Sequence, residues 1–433
     1  MKVTMIGTGY VGLVSGTCFA DFGIDVTCCD NDAAKIATLA EGGVPFYEPG
    51  LAEKIVQNVA AGRLAFTTDV GAAIRDADVI FIAVGTPAQQ DGSTDLTYID
   101  AVADEIGRNL NGYKVIATKS TVPPRTGERI KQRVREHAGG DAEFDVASNP
   151  EFLREGSALE DFMRPNRIVI GVDSERAADV MRALYQPLYL IETPIIVTSV
   201  PTAEMIKYAS NAFLAVKITF INEVANMCER LGADVHVVAR SMGLDGRISP
   251  KFLHPGPGFG GSCFPKDVSA LVATAEEVGY DFMIGRAALA ANARQRELMI
   301  DKIRLAVGAL DGIRVGLLGL AFKPNTDDTR DSPAVAIAQG LLAEGAIIQA
   351  FDPAAMDNAR AVLGDQVTYC EDAYAACVDV DVVVIATEWN QFRNLDLGRL
   401  RATMSAPVVV DLRNVYEPAR MRELEFDYTS VGR

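Results

Sequence analysis

Residues 256–267 read GPGFGGSCFPKD and place one cysteine, Cys263, between a glycine-rich run and a Pro-Lys-Asp helix start. Glycine lets the backbone approach a ligand closely, because it has no side chain to obstruct it. Pro265 suits the first turn of a helix, where its missing N–H costs nothing, so Cys263 is expected at a helix N-terminus beside Lys266. The helix dipole and the lysine both favour the thiolate, which is the nucleophile for covalent chemistry on an aldehyde or acyl carbon. The alternative is a small buried side chain in a tight turn, the commoner fate of free cysteine.

Further polar residues stand at helical spacing from one another. Lys207 and Asn211 are four residues apart in a predicted long helix, so they project from one face. Together they can offer donors to an oxyanion, although a solvated helix face is the alternative. Asp267 follows Cys263 by four residues and is expected one helical turn away from it.

Two glutamates, Glu151 and Glu155, flank FLR in the segment NPEFLREG. A buried glutamate can serve as a general base near neutral pH, because burial disfavours its charged form. The alternative for either residue is a carboxylate of purely structural value at a helix start.

The segment GTGYVG, residues 7–12, follows a predicted strand and opens a helix. Gly7 allows the tight turn, Gly9 lets a pyrophosphate approach, and Gly12 lets helix and strand pack closely. Asp30 ends the second predicted strand, where a carboxylate accepts both ribose hydroxyls and repels a 2′-phosphate. The sequence therefore predicts an NAD site, the alternative being a packing turn that binds nothing. Lys35, one helical turn further on, either reaches the adenosine end or is solvated.

Near-continuous apolar strands alternate with helical stretches, which predicts parallel sheets buried on both faces. The predicted strands are 2–6, 25–29, 78–84, 114–118, 143–148 and 167–172, and later 313–318, 347–351, 381–386 and 407–411. Residues 201–231 lack strand signals and form one predicted helix of about 45 Å. The expected fold is α/β, with two Rossmann-like doubly wound domains (1–196 and 301–433) joined through a central helical domain (197–300). The second half reads GLLGLA at 316–321, without the full glycine fingerprint, so a second NAD is not expected.

The composition is that of an ordinary globular protein. The 433 residues carry a net charge of −17, which argues against nucleic-acid binding. No apolar stretch is long enough to predict a transmembrane helix. Seven cysteines without framework spacing indicate reduced thiols and a cytoplasmic location. Only three histidines are present, so a metal site is not expected.

The motifs, taken in order, resemble those of the nucleotide-sugar 6-dehydrogenase family over essentially the whole chain. They are GTGYVG, DVIFIAVGTP, KSTVPPRTG, NPEFLREG, AEMIKYASNAF, GFGGSCFPKD and AFKPNTDDTRDSP. This resemblance implies oxidation of a sugar C6 alcohol to a carboxylate with two NAD+, through thiohemiacetal and thioester intermediates on a cysteine. The stretch GLDGRISPKFLHPGPG fits the branch that takes UDP-glucose as substrate better than the GDP-mannose branch. The alternatives are GDP-mannose, a UDP-N-acetylhexosamine, or a non-catalytic sensor of NAD or a nucleotide sugar.

The resemblance also implies residue roles. It makes the N-terminal domain the NAD site, the central domain the dimer contact and cysteine carrier, and the C-terminal domain the UDP-sugar site. It implies that Cys263 is the nucleophile, Glu151 the general base, and Arg247 a contact reaching from a partner subunit of a homodimer or larger assembly. The catalytic set is Cys263, Lys207, Asn211, Asp267, Glu151 and Thr121. The cofactor set is Gly7, Gly9, Tyr10, Val11, Gly12, Asp30, Lys35, Gly85, Thr86, Thr121, Glu155, Lys266 and Arg330. The substrate set is Glu151, Phe152, Leu153, Arg154, Glu155, Lys207, Asn211, Arg247, Phe252, Leu253, His254, Pro255, Gly256, Gly260, Lys323 and Arg413.

Overall fold

In the computed structural model, which describes residues 1–140 and 142–433, the chain forms two compact units. The first unit comprises Met1–Ser210 and Ala270–Tyr280, and the second comprises Asn211–Ser269 and Asp281–Arg433. The predicted α/β class, with a parallel-sheet domain towards each end of the chain and a long central helix, is confirmed. The three-domain division at residues 196 and 300 stays a prediction, since the units divide the central segment between them.

The first unit contains an eight-stranded sheet of order β3-β2-β1-β4-β5-β6-β7-β8. Its strands are β1 (Lys2–Ile6), β2 (Asp25–Cys29), β3 (Leu64–Thr67), β4 (Val79–Ile82), β5 (Lys114–Thr118), β6 (Phe144–Ser148), β7 (Ile168–Gly171) and β8 (Ile195–Thr198). β3 and β8 were not predicted. The strands from β3 to β6 in this order are all parallel, but β7 pairs with β6 in the antiparallel sense and β8 runs parallel to β7. The last two strands therefore run opposite to the other six, which refines the predicted parallel sheet.

Helices cover both faces of this sheet. They are α1 (Tyr10–Asp21), α2 (Ala33–Ala40), α3 (Leu51–Ala60), α4 (Val70–Asp76), α5 (Thr97–Asn109), α6 (Thr126–His137), α7 (Ala158–Met163) and α8 (Glu175–Leu184), followed by a 3₁₀ turn at Gln186–Ile191. The central strand β4 has the sequence VIFI, and all four of its side chains are buried. Val79 and Phe81 pack in one apolar cluster while Ile80 and Ile82 pack in another, as the alternation of a strand buried on both faces requires.

Long helices occupy the middle of the chain. They are α9 (Val200–Leu231), α10 (Val235–Gly243), α11 (Phe264–Glu277) and α12 (Met283–Val307). α9 has 32 residues, one more than predicted, and the unit boundary falls inside it after Ser210. Among the described residues, no helix combines the length and apolar character that a bilayer span requires.

The second unit contains a six-stranded sheet of order β11-β10-β9-β12-β13-β14, parallel throughout. Its elements are β9 (Arg314–Leu318), α13 (Pro333–Ala343), β10 (Ile347–Phe351), α14 (Met356–Leu363), β11 (Val367–Tyr369), β12 (Val382–Ile385), α15 (Asn390–Arg393), α16 (Leu397–Thr403), β13 (Val408–Asp411), α17 (Pro418–Glu423) and β14 (Asp427–Thr429). In each sheet the direction in which successive strands are added reverses at the first strand. β1 lies between β2 and β4, and β9 lies between β10 and β12. Ligands of doubly wound sheets bind at the carboxyl ends of the strands near such a point.

Candidate active site

The glycine turn between β1 and α1 has the geometry that the fingerprint predicts. Gly7 has a φ of 102°, and a Cβ there would lie 2.6 Å from the carbonyl oxygen of Ala83. A Cβ on Gly12 would lie 1.9 Å from the carbonyl oxygen of Gly7, so only glycine allows the helix to pack on the turn. The space beside Gly9 is open. Gly9 is also the N-cap of α1, and it has no side chain to occupy the helix N–H groups that bind phosphate.

Asp30, at the end of β2, is held in place as an ionised carboxylate. Thr8 donates to Oδ2 from its backbone N at 2.9 Å and from its hydroxyl at 2.8 Å, and the backbone N of Asp32 donates to Oδ1 at 3.1 Å. Burial disfavours the charge, but these bonds and Lys35 outweigh it and hold the pKa of Asp30 below its ordinary value. The turn, the open helix end and Asp30 together fit an NAD molecule.

Lys35 contacts Asp30 itself. Its Nζ lies 3.1 Å from Oδ2 of that carboxylate, so in this structure Lys35 orients Asp30. Contact between Lys35 and the adenosine remains a prediction.

Glu48 is a buried residue that the sequence analysis missed. Its carboxylate accepts hydrogen bonds from the Tyr10 hydroxyl at 2.5 Å, the Gly156 N–H at 2.6 Å and the Ala158 N–H at 2.8 Å. Glu48 therefore ties the first turn of α1 to the loop that follows NPEFLRE. Its own surroundings, the loop PFYEPG, show only turn signals, which gave no reason to single it out. Tyr10 was predicted to contact the cofactor, and its hydroxyl is engaged by Glu48.

The other predicted cofactor residues of the first unit lie at strand ends and in α1. The Thr86 hydroxyl, after β4, donates to the carbonyl oxygen of Thr121, after β5, at 3.0 Å. This bond ties together two strand ends on the carboxyl edge of the sheet. Gly85 is exposed and has open space beside its Cα, while Val11 lies in the first turn of α1 and is half-buried.

Glu151 and Lys207 form a buried ion pair. The Lys207 Nζ lies 3.0 Å from Oε1 of Glu151, with side-chain exposures of 4% and 6%. The backbone N–H of Leu153 donates to the other carboxylate oxygen. Lys207 also stands 5.4 Å from the centroid of the Phe152 ring. A buried carboxylate with both oxygens engaged has a fixed orientation, which general-base catalysis requires.

The rest of NPEFLREG has partners within the first unit. The Arg167 guanidinium stacks 3.3 Å from the centroid of the Phe152 ring. Arg154 makes ion-pair contacts with Asp161 as short as 2.6 Å and is 61% exposed. Glu155 is half-buried. Direct contacts of Arg154 and Glu155 with a ligand remain predictions.

Cys263 lies at the start of α11, as predicted. Its carbonyl oxygen accepts the Asp267 N–H at 2.8 Å, so Cys263 occupies the N-cap position. The thiol is half-buried, and its sulfur lies 3.5 Å from the Ser262 hydroxyl. A partly exposed thiol at a helix N-terminus is the setting in which cysteines become reactive.

Asp267 organises the polar groups near the cysteine. Its side chain is 1% exposed, and its two carboxylate oxygens accept from the Asn211 amide at 2.6 Å and the Lys266 ammonium at 2.6 Å. Three predicted catalytic residues, Cys263, Asp267 and Asn211, are thus linked within the second unit. Lys266 was predicted to contact the cofactor, and here its ammonium lies on Asp267.

The glycine-rich loop before Cys263 is held by amide side chains. Asn292 on α12 donates to the Phe259 carbonyl oxygen at 3.0 Å and accepts the Phe259 N–H at 2.8 Å. Asn222 on α9 accepts the Gly256 N–H at 2.8 Å, and Gln295 donates to the Gly256 carbonyl oxygen at 2.8 Å. The sequence analysis missed these helical amides, because they occupy ordinary positions in long helices.

The glycines of this loop mainly allow close packing within the protein. A Cβ on Gly260 would lie 2.3 Å from the Asp331 carbonyl oxygen, and one on Gly261 would lie 2.6 Å from the Phe322 ring. A Cβ on Gly258 would meet the Asn292 side chain at 2.6 Å. We expected glycine at these positions so that a ligand could approach. At their Cα atoms the structure shows protein instead, so glycine is needed there for packing.

The predicted substrate loop, residues 252–256, joins the same structure. Phe252 has a φ of 65°, unusual for an aromatic residue, and its ring lies 6.2 Å from that of Phe264. Leu253, Pro255 and Gly256 are buried while His254 is exposed. Sequence reasoning gave no signal for the left-handed backbone at Phe252.

A carboxylate in the second unit occupies the position that Asp30 has in the first. Asp352 ends β10, and its Oδ2 accepts the N–H groups of Leu320 and Ala321 at 2.7 and 3.0 Å. Further donors are the N–H groups of Ala354 and Ala355 and the indole of Trp389, at 2.8 to 3.1 Å. Asp352 is 1% exposed, so its hydrogen-bonding capacity is used inside the protein.

The predicted basic substrate and cofactor residues of the second unit have the following contacts. Arg413 donates to the carbonyl oxygens of Ala386 and Phe322, each at 2.9 Å. Arg330 pairs with Asp328 and is 66% exposed, and Lys323 lies 5.5 Å from the centroid of the Phe322 ring.

Arg247 lies apart from these residues. It pairs with Asp245 and is 89% exposed, so its predicted role toward a partner subunit is untested. Among the described residues, no group of three His, Cys, Asp or Glu side chains is arranged to hold a metal ion.

Three models of one family match the chain in sequence order. The NAD binding domain of the UDP-glucose/GDP-mannose dehydrogenase family matches residues 1–189, its central domain residues 201–294 and its UDP binding domain residues 316–418. A UDP-glucose 6-dehydrogenase of Rhizobium meliloti (strain 1021) is 52% identical over an alignment of 437 positions that covers 100% of both chains. The chain belongs to the UDP-glucose/GDP-mannose dehydrogenase family. The predicted resemblance and the predicted NAD cofactor are therefore confirmed.

Other members of this family are similar over the whole chain. The UDP-glucose 6-dehydrogenase TuaD of Bacillus subtilis (strain 168) is 50% identical, covering 100% of this chain and 93% of that protein. The structure of a UDP-glucose dehydrogenase from Pyrobaculum islandicum superimposes with a TM-score of 0.93 at 44% identity, covering 100% of this chain and 97% of that one. The UDP-D-ManNAc dehydrogenase of Pyrococcus horikoshii has a TM-score of 0.87 at 26% identity over 100% of this chain and 99% of that one.

Proposed function

We propose that this family member oxidises the C6 alcohol of UDP-glucose to a carboxylate, giving UDP-glucuronate, with two molecules of NAD+ per sugar. The observation that carries the proposal is Cys263, a half-buried thiol at the N-terminus of α11. A dehydrogenase that stops at the aldehyde needs no such thiol, and a sensor needs none. Proteins named UDP-glucose 6-dehydrogenase are 50–52% identical over the whole chain, which supports this sugar over the alternatives.

The first unit holds the cofactor through its glycine turn. The N–H groups at the start of α1 receive the pyrophosphate, and Asp30 receives the adenosine ribose hydroxyls. NAD+ supplies a hydride acceptor at C6 in each of the two oxidations. The negative charge of Asp30 excludes the 2′-phosphate of NADP, because the two groups would repel each other.

Cys263 holds the sugar between the two oxidations. Its thiolate adds to the C6 aldehyde, forming a C–S bond while the carbonyl electron pair moves to oxygen. The resulting thiohemiacetal is an oxyanion. It loses the second hydride while its oxygen electron pair re-forms the C=O bond, and it becomes a thioester. The dipole of α11 favours the thiolate.

Lys207 and Asn211 stabilise the negative charge that develops on the C6 oxygen. They stand one turn apart on α9, so both point from one helix face. Fixed donors of this kind supply a large part of the catalysis in acyl chemistry. Asp267 holds the Asn211 amide at 2.6 Å and thereby fixes its direction.

Glu151 acts as the general base that releases the product. It removes a proton from a water molecule, which adds to the thioester carbon, and Cys263 departs with the C–S electron pair. Thr121, at the end of β5, assists in holding this water. Lys207, 3.0 Å from the Glu151 carboxylate, keeps that carboxylate in position.

The substrate's diphosphate and sugar are held by the residues that the motifs single out. Lys323, Arg413 and Arg247 supply positive charge, and Arg330 and Lys266 face the cofactor. The loop from Phe252 to Gly256, with Gly260, presents backbone groups to the sugar. Phe152, Leu153, Arg154 and Glu155 complete the contacts.

We further propose that the enzyme is at least a homodimer that acts in the cytoplasm. α9 carries an exposed apolar row at Phe213, Phe220 and Met227, which are 65%, 49% and 53% exposed. These residues recur every seven positions, so a second α9 can pack on them. None of the described cysteines is joined in a disulfide, which suits a reducing compartment.

Measuring NADH stoichiometry on a panel of sugar nucleotides tests the proposed reaction. Wild-type protein is expected to form two NADH per UDP-glucose, and little NADH with GDP-mannose or UDP-N-acetylmannosamine. Cys263→Ser is expected to form no UDP-glucuronate, whereas Cys370→Ser, which changes another half-buried thiol, retains activity. One NADH per sugar, or full activity of Cys263→Ser, would overturn the proposal.

A further inference from the structure

A small cavity with a mixed polar and apolar lining adjoins Glu151 inside the first unit. Its volume is about 60 Å³, and one internal water needs roughly 10–15 Å³, so it has room for a few waters. Its lining includes Lys119, Asn149, Glu151, Phe152, Arg167 and Tyr185. The lining also contains apolar side chains such as Phe162 and Ile168, while the polar groups supply the hydrogen-bond partners that an internal water needs.

Lys119 is a buried lysine at the end of β5 and is 3% exposed. Its Nζ donates to the Asn149 side-chain oxygen at 3.1 Å and to the Tyr185 hydroxyl oxygen at 3.3 Å. It also stands 5.6 Å from the centroid of the Phe81 ring. The Asn149 amide group donates to the Val169 carbonyl oxygen at 2.8 Å, so the Asn149 oxygen is turned toward Lys119. These contacts hold Lys119 in one place.

The charges of Lys119 and Glu151 influence each other. Burial lowers the pKa of Lys119 to about 8, although Glu151 raises it, and Lys207 lowers it further. The lowered pKa makes the uncharged amine, which can accept a proton, more accessible near neutral pH than it is for an ordinary lysine. The other charged or titratable groups around this pair are Lys207, Arg167, Tyr185, Cys18 and Asp161.

We propose that Lys119, acting through water in this cavity, accepts the proton that Glu151 removes from the hydrolytic water. This inference rests on the proposed role of Glu151 as general base. Lys119 contacts neither substrate nor cofactor in this account, so it is a proton-exchange residue acting through Glu151.

The proton transfers balance in the following way. The hydrolytic water gives one proton to Glu151, and its hydroxide adds to the thioester carbon. The C–S bond breaks, and Cys263 leaves as the thiolate with the bonding electron pair. The product forms as a carboxylic acid, which gives its remaining proton to solvent and becomes the carboxylate. Glu151 then passes its proton through a cavity water to neutral Lys119, which becomes an ammonium and later releases the proton to solvent. Glu151 is thereby an ionised base again.

Rapid mixing of enzyme with excess UDP-glucose and NAD+ tests this step separately from the oxidations. In Lys119→Met we expect a burst of two NADH per subunit at the wild-type rate, followed by turnover slower by about tenfold or more. Intact-protein mass spectrometry is expected to find the thioester accumulating on Cys263. In wild type we expect the hydrolysis rate to rise with pH toward about 8, because burial lowers the pKa of Lys119 to about 8 and the neutral amine is the proposed proton acceptor. This rise is expected to disappear in the variant.

Two further variants separate proton exchange from structural support. Lys119→Arg keeps the charge and donors but does not release its proton, so it is expected to stay slow. If Lys119 only supports the fold, arginine restores the rate. Lys114→Met is the matched control, because Lys114 is a buried lysine at the other end of β5 that donates to the Arg75 carbonyl oxygen at 3.1 Å. It is expected to hydrolyse the thioester normally.

The outcomes distinguish this inference from the proposed function. If wild type fails to yield two NADH per UDP-glucose, the proposed function is wrong. If wild type does so but Lys119→Met and Lys119→Arg hydrolyse the thioester at its rate, only the role of Lys119 is wrong. Should Lys119→Met fail to fold, Lys119→Arg and the wild-type pH profile decide, and a profile without a rise toward pH 8 overturns the inference.

Discussion

Glu204 makes the stability of the first unit depend on pH in a way that can be worked out. It lies on α9 one turn before Lys207, and its carboxylate accepts the N–H groups of Arg125 and Gly127 at 2.7 and 2.8 Å. It therefore holds the start of α6, in the segment that follows Thr121. Burial raises the pKa of Glu204 from 4.5 to about 7, although the two backbone donors act in the opposite direction.

The direction and size of the effect follow from this pKa. The unfolded chain loses the Glu204 proton near pH 4.5, whereas the folded chain keeps it until about pH 7. Between these values the folded state binds more protons, so the free energy of unfolding falls as the pH rises. The difference of about 2.5 between the two pKa values corresponds to about 3 kcal/mol. This contribution is complete below pH 4.5 and is lost as the pH passes through 7.

The variant Glu204→Gln removes this titration. Glutamine offers one acceptor oxygen, so one of the two N–H groups loses its partner, at a cost of about 1–3 kcal/mol at the acid end. As the pH rises, the free energy of unfolding of the wild type falls because Glu204 ionises. That of the variant does not fall, because glutamine does not titrate. The stability gap between the two proteins is therefore expected to shrink by up to about 3 kcal/mol and to close or reverse.

Hydrogen exchange of the backbone amides at the start of α6 measures this gap locally. Both proteins are compared at each pH from about 4 to about 8, the range that contains both pKa values, so intrinsic exchange rates cancel. Thermal unfolding over the same range gives a second readout. Glu136→Gln, on the exposed side of α6, is the control and is expected to leave the pH dependence unchanged. A gap between Glu204→Gln and wild type that stays constant with pH would refute the reasoning.

Three further changes have defined outcomes. Gly12→Ala is expected to abolish NAD binding in a calorimetric titration, because its Cβ would lie 1.9 Å from the Gly7 carbonyl oxygen, while Gly139→Ala, which has open space, binds NAD normally. Asp30→Ser is expected to weaken NAD binding by about tenfold and to raise the relative activity with NADP; unchanged selectivity in a kinetic comparison contradicts the role of Asp30. Asn292→Ala leaves a backbone donor and acceptor unpaired and is expected to destabilise the protein by about 1–3 kcal/mol, with a higher KM for UDP-glucose; a wild-type melting temperature and KM would be the contrary result.

The central strands and the glycine turn were predictable because their signals are local. β1, β2, β5 and β10 have the predicted bounds, since each is a mostly apolar run that ends at a glycine or a charged residue. The first turn of α1 and Asp30 followed from spacing alone. Cys263 was placed at a helix start by Pro265 and Lys266, and the structure begins α11 beside it.

The elements that sequence missed are short or lie at sheet edges. β11 and β14 have three residues each, too few to show an alternating pattern. The reversed direction of β7 depends on how the chain returns to the sheet, which side-chain patterns do not record. Likewise, Lys35 and Lys266 pair with carboxylates that are close in the sequence, Asp30 and Asp267. Sequence proximity does not show which way a lysine side chain turns, so both lysines were assigned to ligands instead.

The saturated carboxylate of Asp352 limits how this fold can be redesigned. Completing the glycine fingerprint between β9 and α13 would imitate an NAD site. The Asp352 carboxylate, however, already accepts hydrogen bonds at all its lone pairs, so none is left for a ribose. Such a graft would also have to displace the Trp389 indole, which donates to the same oxygen at 3.1 Å, and so disturb the core beneath it. The six parallel strands of the first sheet and the six strands of the second share one order, but the two are not interchangeable parts.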